Sequence, residues 1–170
     1  MVFAHIPSGY LLANLFVQKR KWPTWLLWLG MLGATFPDFD ILLAEFTTHD
    51  MIGHRVSPMH FPIVWALVAA LLLTIILLTK QKSWLPAWGV FFSAAMLHLV
   101  LDTLVGDIYW LAPFSWTPIH IISIPSHHAW WLADHVLHWS FLFEIGIIVA
   151  AAIIFFRGGY RDLFDLPKRK

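Results

Sequence analysis

Residues 61–79 read FPIVWALVAALLLTIILLT, nineteen residues without one charged side chain. A helix of that length extends about 28 Å, which matches the roughly 30 Å hydrocarbon core of a bilayer. Pro62 falls in its first turn, where a missing backbone N–H costs little. This stretch therefore predicts a transmembrane helix and places the chain among integral membrane proteins.

The composition of the whole chain agrees with a membrane protein. Of its 170 residues, 59% are hydrophobic and 12% are charged, whereas soluble domains have about 45–50% and about 25%. The net charge of +1 excludes the strong basic field of a nucleic-acid-binding protein. Because the chain has no cysteine, disulfides, thiolate metal sites and cysteine nucleophiles are excluded as well.

Four further apolar segments extend the prediction to about five hydrophobic helices in a single membrane domain, residues 1–170. The first two are short and are expected to form a short or tilted hairpin. The last is expected to start at Asp134 as its N-terminal cap. The predicted fold class is therefore an all-α, polytopic helical bundle. The four segments are residues 8–18, 24–36, 84–105 and 135–156.

The basic residues predict the orientation of these helices. Ten of the eleven Lys and Arg lie at 19–21, at 80–82 and from Arg157 onward. With five segments, those three sites share one side of the membrane, which the positive-inside rule makes the cytoplasm. The N-terminus and two longer loops then face outward, and the expected location is the inner membrane. The outer loops are 37–60 and 106–134, and the basic cytoplasmic tail is 158–170.

Under this assignment, the outward-facing half of the protein contains all ten histidines and eight of the ten acidic residues. His98 and Asp102 are four residues apart within an apolar segment, so one helical face presents an imidazole and a carboxylate. Ionisable groups inside a membrane helix are expensive and usually functional. This pair is predicted to bind metal, with a structural hydrogen bond between helices as the alternative.

A second group of polar residues lies in the first outer loop. Asp38 and Asp40 follow Pro37 in a turn from which both carboxylates can reach one cation, although a solvated turn is the alternative. His54 and His60 come next and are candidate ligands. Arg55, the sole basic residue on the outer side, lies between them. It is suited to bind a phosphate with two hydrogen bonds, or else to pair with Asp50 or Asp107.

Four other positions are candidates of lower rank, and one loop is expected to cover the site. His5 lies at the level of the outer loops and is a candidate ligand. Glu144 is predicted to be a deep ligand, an acceptor for a histidine N–H, or a hydrogen-bonded group between helices. His135 and His138 are three apart on one predicted helical face, as supporting or extra ligands. The tryptophan-rich loop 106–134 is expected to lie on the headgroup layer as a lid.

The donor atoms of this set, imidazole nitrogen and carboxylate oxygen without sulfur, suit zinc, with manganese or iron as alternatives. Seven ligands exceed the need of one tetrahedral ion, so two or three ions are expected. Such a centre generates hydroxide at neutral pH and holds the oxygens of a phosphoester. Asp40 and Arg55 are the predicted catalytic residues, with Arg55 neutralising phosphate charge. The candidate ligands are His5, Asp38, Asp40, His54, His60, His98 and Asp102.

Four motifs in this order resemble the YdjM-like inner-membrane proteins, which are described as predicted metal-dependent hydrolases. That family is distantly similar to zinc-dependent phospholipase C and to the P1-type nucleases. The resemblance therefore implies a phosphodiester or phosphomonoester substrate. The motifs are Ala4-His5-x-x-x-Gly9, Gly33-x-x-x-Pro37-Asp38-x-Asp40, His54-Arg55-x-x-x-x-His60 and His98-x-x-x-Asp102, followed by Pro113-Phe114.

Together these observations predict an outer-leaflet enzyme that hydrolyses a phosphoester of a lipid or lipid-linked substrate. No nucleic-acid partner is expected, and the oligomeric state is left open. One alternative is a divalent-metal transporter or sensor, which requires a polar path to the cytoplasm that the apolar inner halves of residues 61–79 and 84–105 do not offer. The other is a scaffold in which a metal holds short helices together without catalysis.

Overall fold

The computed structural model describes residues 1, 3–40, 57–128 and 130–164, and this part of the chain is all-helical. Short 3-10 turns precede several helices, and a π-helical stretch, Phe155–Gly159, follows one. The α-helices in the described ranges are α1 His5–Arg20, α2 Leu26–Thr35, α3 Pro62–Leu78, α4 Leu85–Val105, α5 Trp131–Leu137, α6 Phe141–Ile154 and α7 Tyr160–Leu163.

The lengths and surfaces of these helices suit a membrane. Two stretches are long and apolar enough to cross one, Lys82–Val105 and Phe141–Gly158, and α3 is apolar but shorter. On α3, Leu67 and Leu71 are more than half exposed. Large exposed apolar surface is rare on soluble monomers and is expected where lipid covers the protein. The count of five spans and the orientation stay predictions.

Helices α1 and α2 form the predicted hairpin, and small residues bring their backbones together. A Cβ atom added at Gly9 would lie 2.4 Å from the carbonyl oxygen of Gly30, and one at Gly30 would lie 2.5 Å from the Cβ of Ala13. Real Cβ atoms do not approach so closely, so only glycine permits this crossing.

Helix α4 lies at the centre of the described bundle. It packs against α2 so closely that a Cβ at Gly33 would lie 2.6 Å from the carbonyl oxygen of Phe91. One buried cluster joins it to the hairpin through Leu27 and Val90, and another joins it to α3 through Trp65 and Leu99. The C-terminal end of α2 is thereby held beside the middle of α4, where Gly33 approaches Phe91 and Ala94.

The last predicted span is wrong at its start. Instead of a continuous helix from residue 135, α5 ends at Leu137, His138 has extended backbone (ψ 142°) and α6 begins at Phe141. The backbone N–H of Ser140 donates to Nδ1 of His138 at 3.3 Å, and such a local bond competes with helix continuation. Asp134 lies within α5 and accepts from the backbone N–H of His127 at 3.0 Å, so it does not cap the span.

The predicted basic tail, 158–170, is partly structured. It contains α7, whose last residue, Leu163, accepts a hydrogen bond through its carbonyl from Trp28 Nε1 at 3.1 Å. The tail therefore starts as a short helix held against α2. Residues 165–170 lie outside the described part.

Candidate metal centre

His98 and Asp102 lie on one face of α4, as their spacing predicts. His98 Nε2 lies 3.7 Å from Asp102 Oδ2, and the two side chains are almost fully buried. The four-residue spacing on a helix creates this proximity, and the contact of α4 with α2 removes both groups from lipid and solvent.

Two 3-10 turns add further donor atoms to that face. The 3-10 turn Phe36–Asp38 follows α2, with Pro37 buried in it, and it carries the carboxylate of Asp38. The 3-10 turn Pro58–His60 precedes α3 and is capped by Ser57, which accepts from the Met59 N–H. Asp38 Oδ1 lies 3.4 Å from His60 Nε2 and 3.5 Å from His98 Nε2, so both imidazoles face one carboxylate oxygen.

These four residues form a candidate metal site. Asp38, His60, His98 and Asp102 each offer one ligand atom, and the four atoms lie within 4.8 Å of one another. A tetrahedral zinc ion with ligands at about 2 Å separates its ligand atoms by roughly 3.3 Å. The Asp38 distances are close to that value, so modest adjustment brings the set to zinc geometry. Within the described residues this is the one group of its kind.

The orientation of His98 suits a metal ligand. Its Nδ1 lies 2.8 Å from the carbonyl oxygen of Ala34, which only accepts, so Nδ1 carries the hydrogen and Nε2 presents its lone pair to the carboxylates. Among the described residues this buried Nε2 has no hydrogen-bond partner. A buried acceptor without a donor is costly, and a cation between His98 and the two carboxylates would remove that cost.

His60 lies between two carboxylates. Its Nδ1 is 3.3 Å from Asp40 Oδ2, on the ring edge opposite the one near Asp38. Asp40 is therefore placed to orient the His60 ring, as carboxylates behind metal-binding histidines commonly do. Its predicted roles as ligand and catalytic residue stay predictions.

The charges around His60 change its protonation. Burial lowers the pKa of His60, but hydrogen bonds to Asp38 and Asp40 outweigh it and raise the pKa to about 9. Burial raises the pKa of Asp38, yet its hydrogen bond with His60 and the proximity of His98 and His5 together outweigh burial, so the pKa falls. Without metal, His60 is thus protonated at neutral pH beside the ionised carboxylate of Asp38.

His5 lies beside the four-residue site. Its ring stacks on that of His98 with centroids 3.8 Å apart, and its Nε2 lies 3.1 Å from Asp102 Oδ1 and 2.6 Å from the carbonyl oxygen of Met1. Both neighbours accept, so His5 donates from Nε2 in this arrangement. The nitrogen of Met1 also contacts Asp102. The predicted role of His5 as a ligand stays a prediction.

Of the other lower-ranked candidates, Glu144 and His135 pair with each other. Glu144 is fully buried and accepts from His135 Nε2 and from backbone N–H groups before α1. The prediction that His135 and His138 share a helical face is wrong, because α5 ends between them; His138 Nδ1 instead pairs with Ser140 Oγ at 2.8 Å. His54 and Arg55 lie outside the described residues.

Sequence reasoning missed two backbone groups that support the site. The carbonyl of Ala34, in the last turn of α2, belongs to the carbonyls that a helix leaves unpaired, and this rule could have suggested a partner for His98. The carbonyl of Met1, which accepts from His5, has no sequence signal because any residue supplies the same group.

The chain matches the family described as YdjM inner membrane protein over residues 1–161. No curated protein and no solved structure compared with it matches. The family assignment therefore indicates the membrane location, while the candidate metal site is indicated by the distances between its side chains.

Proposed function

The chain belongs to the YdjM inner membrane protein family, and from this premise we propose that it is a membrane-embedded, metal-dependent phosphoester hydrolase. The observation that carries the proposal is the cluster of Asp38, His60, His98 and Asp102. Buried histidines and carboxylates without a metal are costly inside an apolar bundle. A divalent cation, most simply zinc, accounts for their convergence, and manganese or iron fits the same donor atoms.

The four residues would bind the cation from a helix and from two turns. His98 and Asp102 would hold the cation from the rigid helix α4, with Ala34 fixing the His98 ring. Asp38 and His60 would hold it from the two turns. A bound divalent cation supplies an activated water at neutral pH and a Lewis acid for a phosphoryl oxygen. Further ions would need ligands beyond this group, such as His54.

The exposure of the cluster favours a substrate that arrives at one side. Asp38 is 30% exposed, whereas the side chains of His60, His98 and Asp102 are at most 4% exposed. The exposed side lies at the end of the hairpin where the turn that carries Asp38 follows α2. A phosphoester on a lipid or lipid-linked substrate can reach such a site from the bilayer.

Two further features belong to the proposal. Arg55 would bind the phosphate and neutralise its developing charge, as a guanidinium does with two parallel hydrogen bonds. The distant similarity to zinc-dependent phospholipase C and P1-type nucleases, implied by the family resemblance, supports a phosphodiester or phosphomonoester. With the positive-inside orientation, the site would face the periplasm.

The experiment compares two aspartate variants of the purified full chain in lipid nanodiscs. Bound metal is measured by elemental analysis, and release of phosphate or headgroup is assayed with phospholipids and polyprenyl phosphates. Asp102→Ala is expected to lose metal and to lower hydrolysis more than about 100-fold, beyond the 10–100-fold typical of supporting residues. Asp107→Ala is the matched control, because Asp107 is exposed and pairs with His120 instead.

The outcomes separate the proposal from its rivals. Hydrolysis that depends on metal and on Asp102 supports it. Metal binding without hydrolysis of any substrate contradicts the enzyme and leaves a metal-binding scaffold. Flux of metal ions into proteoliposomes, lost in Asp102→Ala, supports a transporter instead.

A further inference from the structure

We propose that Glu144 and His135 are positioning residues, which hold His5 against Asp102 through the backbone that precedes α1, and that they are not themselves metal ligands. This inference rests on the proposed metal centre. It assigns a separate role to a buried histidine and carboxylate that the four-residue site does not use.

Both oxygens of Glu144 are used in contacts. Oε2 accepts from the backbone N–H of Phe3 at 2.6 Å and from that of Ala4 at 3.0 Å. Oε1 accepts from Nε2 of His135. Glu144 is fully buried and His135 nearly so. A carboxylate that is satisfied by three donors in a buried place fixes those donors in position.

The contacted backbone leads directly to the metal centre. Ala4 is the N-terminal cap of α1 and offers no side-chain cap. Glu144 on α6 accepts from the Ala4 N–H, one of the donors that the start of a helix leaves without a partner. The next residue is His5, whose Nε2 is 3.1 Å from Asp102 Oδ1. Fixing Phe3 and Ala4 therefore fixes the imidazole that contacts Asp102.

Aromatic rings enclose this connection. Phe141, the first residue of α6, packs edge-on against Phe3 at 6.0 Å and against His135 at 5.9 Å. These apolar contacts exclude water from the carboxylate, which strengthens its hydrogen bonds. The break between α5 and α6 turns the chain at His138–Ser140, and His135 on α5 contacts Glu144 on α6 across that break.

Removing the carboxylate should weaken the metal centre without removing a ligand. Glu144→Ala leaves the Phe3 and Ala4 N–H groups without their acceptor, so His5 moves from Asp102. We expect a 10-fold to 100-fold loss of metal affinity, the usual effect of residues that orient ligands. Glu144→Gln keeps one acceptor oxygen for the backbone and should fall between Glu144→Ala and the wild type.

The test measures zinc affinity of the purified full chain in detergent by competition with a chromophoric chelator, with the number of ions per chain. Its deciding arm is a double-mutant cycle with His5→Ala. Because Glu144 acts through His5, Glu144→Gln should cause little further loss of affinity in the His5→Ala background. Trp88→Phe is the control, since it removes another hydrogen bond between helices, Trp88 Nε1 to the Ala69 carbonyl at 2.9 Å, and should leave zinc affinity unchanged.

Several results would overturn the inference. Wild-type zinc affinity in folded Glu144→Gln or Glu144→Ala contradicts it, as do losses that multiply independently with His5→Ala. Loss of one ion per chain with unchanged affinity for the rest would make Glu144 a ligand. Thermal unfolding shows whether Glu144→Ala fails to fold. In that case the zinc affinity of Glu144→Gln tests the inference. If the wild type binds no zinc, the proposed function is contradicted, and this inference is contradicted as well because it rests on the metal centre.

Discussion

At the scale of single residues, the candidate metal site consists of histidines and carboxylates close enough together to hold a cation. The His98–Asp102 pair was predictable, because four residues on a helix always return to the same face. Asp38 and His60 were predicted to join this pair, but the distance between them was not predictable, since it depends on how two separate turns are brought together. The role of Asp40 behind His60 depends on the same tertiary contact and had no separate signal.

The raised pKa of His60 predicts the pH dependence of metal binding. A metal ligand must be neutral imidazole, while His60 without metal holds its proton up to about pH 9, so binding displaces a proton. Apparent zinc affinity should therefore rise with pH, by about tenfold per unit between pH 6 and 8 for one proton. Asp38, whose pKa is lowered, is already ionised between pH 6 and 8. It therefore adds nothing to the change of zinc affinity with pH.

Calorimetric titration at several pH values, in buffers of different ionisation enthalpy, measures both the affinity and the protons released. In Asp40→Asn, one of the two carboxylates that raise the His60 pKa is neutral, so the affinity should level off at a lower pH than in the wild type. An affinity that is constant from pH 6 to 8 in the wild type would contradict the assignment of His60 as a ligand.

At the scale of helices, small residues rather than large apolar ones determine how the bundle closes. The hydrophobic segments were predictable from length and composition, and α3 and α4 begin and end within about a residue or two of the prediction. The glycine contacts were not, because Gly9, Gly30 and Gly33 show no charge or periodicity that distinguishes them from Gly89. The break at His138 was missed for a related reason: a local side-chain bond, absent from hydrophobicity patterns, ends α5.

A glycine pair tests this packing. In Gly33→Ala the new Cβ would lie 2.6 Å from the Phe91 carbonyl and 3.2 Å from the Ala94 Cβ, so α2 must move from α4. We expect destabilisation of about 1–3 kcal/mol, and weaker zinc binding because Ala34 shifts from His98.

The matched variant is Gly89→Ala on α4, where an added Cβ meets no atom within 4 Å. Helix propensity favours alanine by up to about 1 kcal/mol, so this variant should be as stable as the wild type or more so. Thermal unfolding in detergent compares the two. Equal midpoints for both variants would show that the α2–α4 contact is not as close as the structure gives it.

At the scale of the whole molecule, the open question is how the helices are arranged across the membrane. Composition predicted a membrane protein, and the family assignment agrees. The number of spans could not be determined from sequence, because α1 and α2 are apolar enough to be buried but short. Their environment depends on what packs around them.

The lack of cysteine makes the orientation directly measurable. Thr117→Cys lies in the loop predicted to face outward and Gln81→Cys in the turn predicted to face the cytoplasm, and both positions are exposed. A membrane-impermeant maleimide should label Thr117→Cys in spheroplasts, whereas Gln81→Cys should react only after permeabilisation. The wild type gives no background. The reverse pattern would place the metal centre on the cytoplasmic side.

The brevity of α2 has a consequence for the lipid around it. Its 10 residues extend about 15 Å, whereas the 18 residues of Phe141–Gly158 extend about 27 Å. A bilayer whose hydrocarbon core fits the long helix is too thick for α2 to cross, and such hydrophobic mismatch is relieved by local thinning of the bilayer. Thinning draws headgroups down toward the end of α2, where Asp38 follows. In the proposed hydrolase, such thinning would bring the phosphate of a neighbouring lipid to the depth of the candidate metal site, without extracting that lipid from its leaflet.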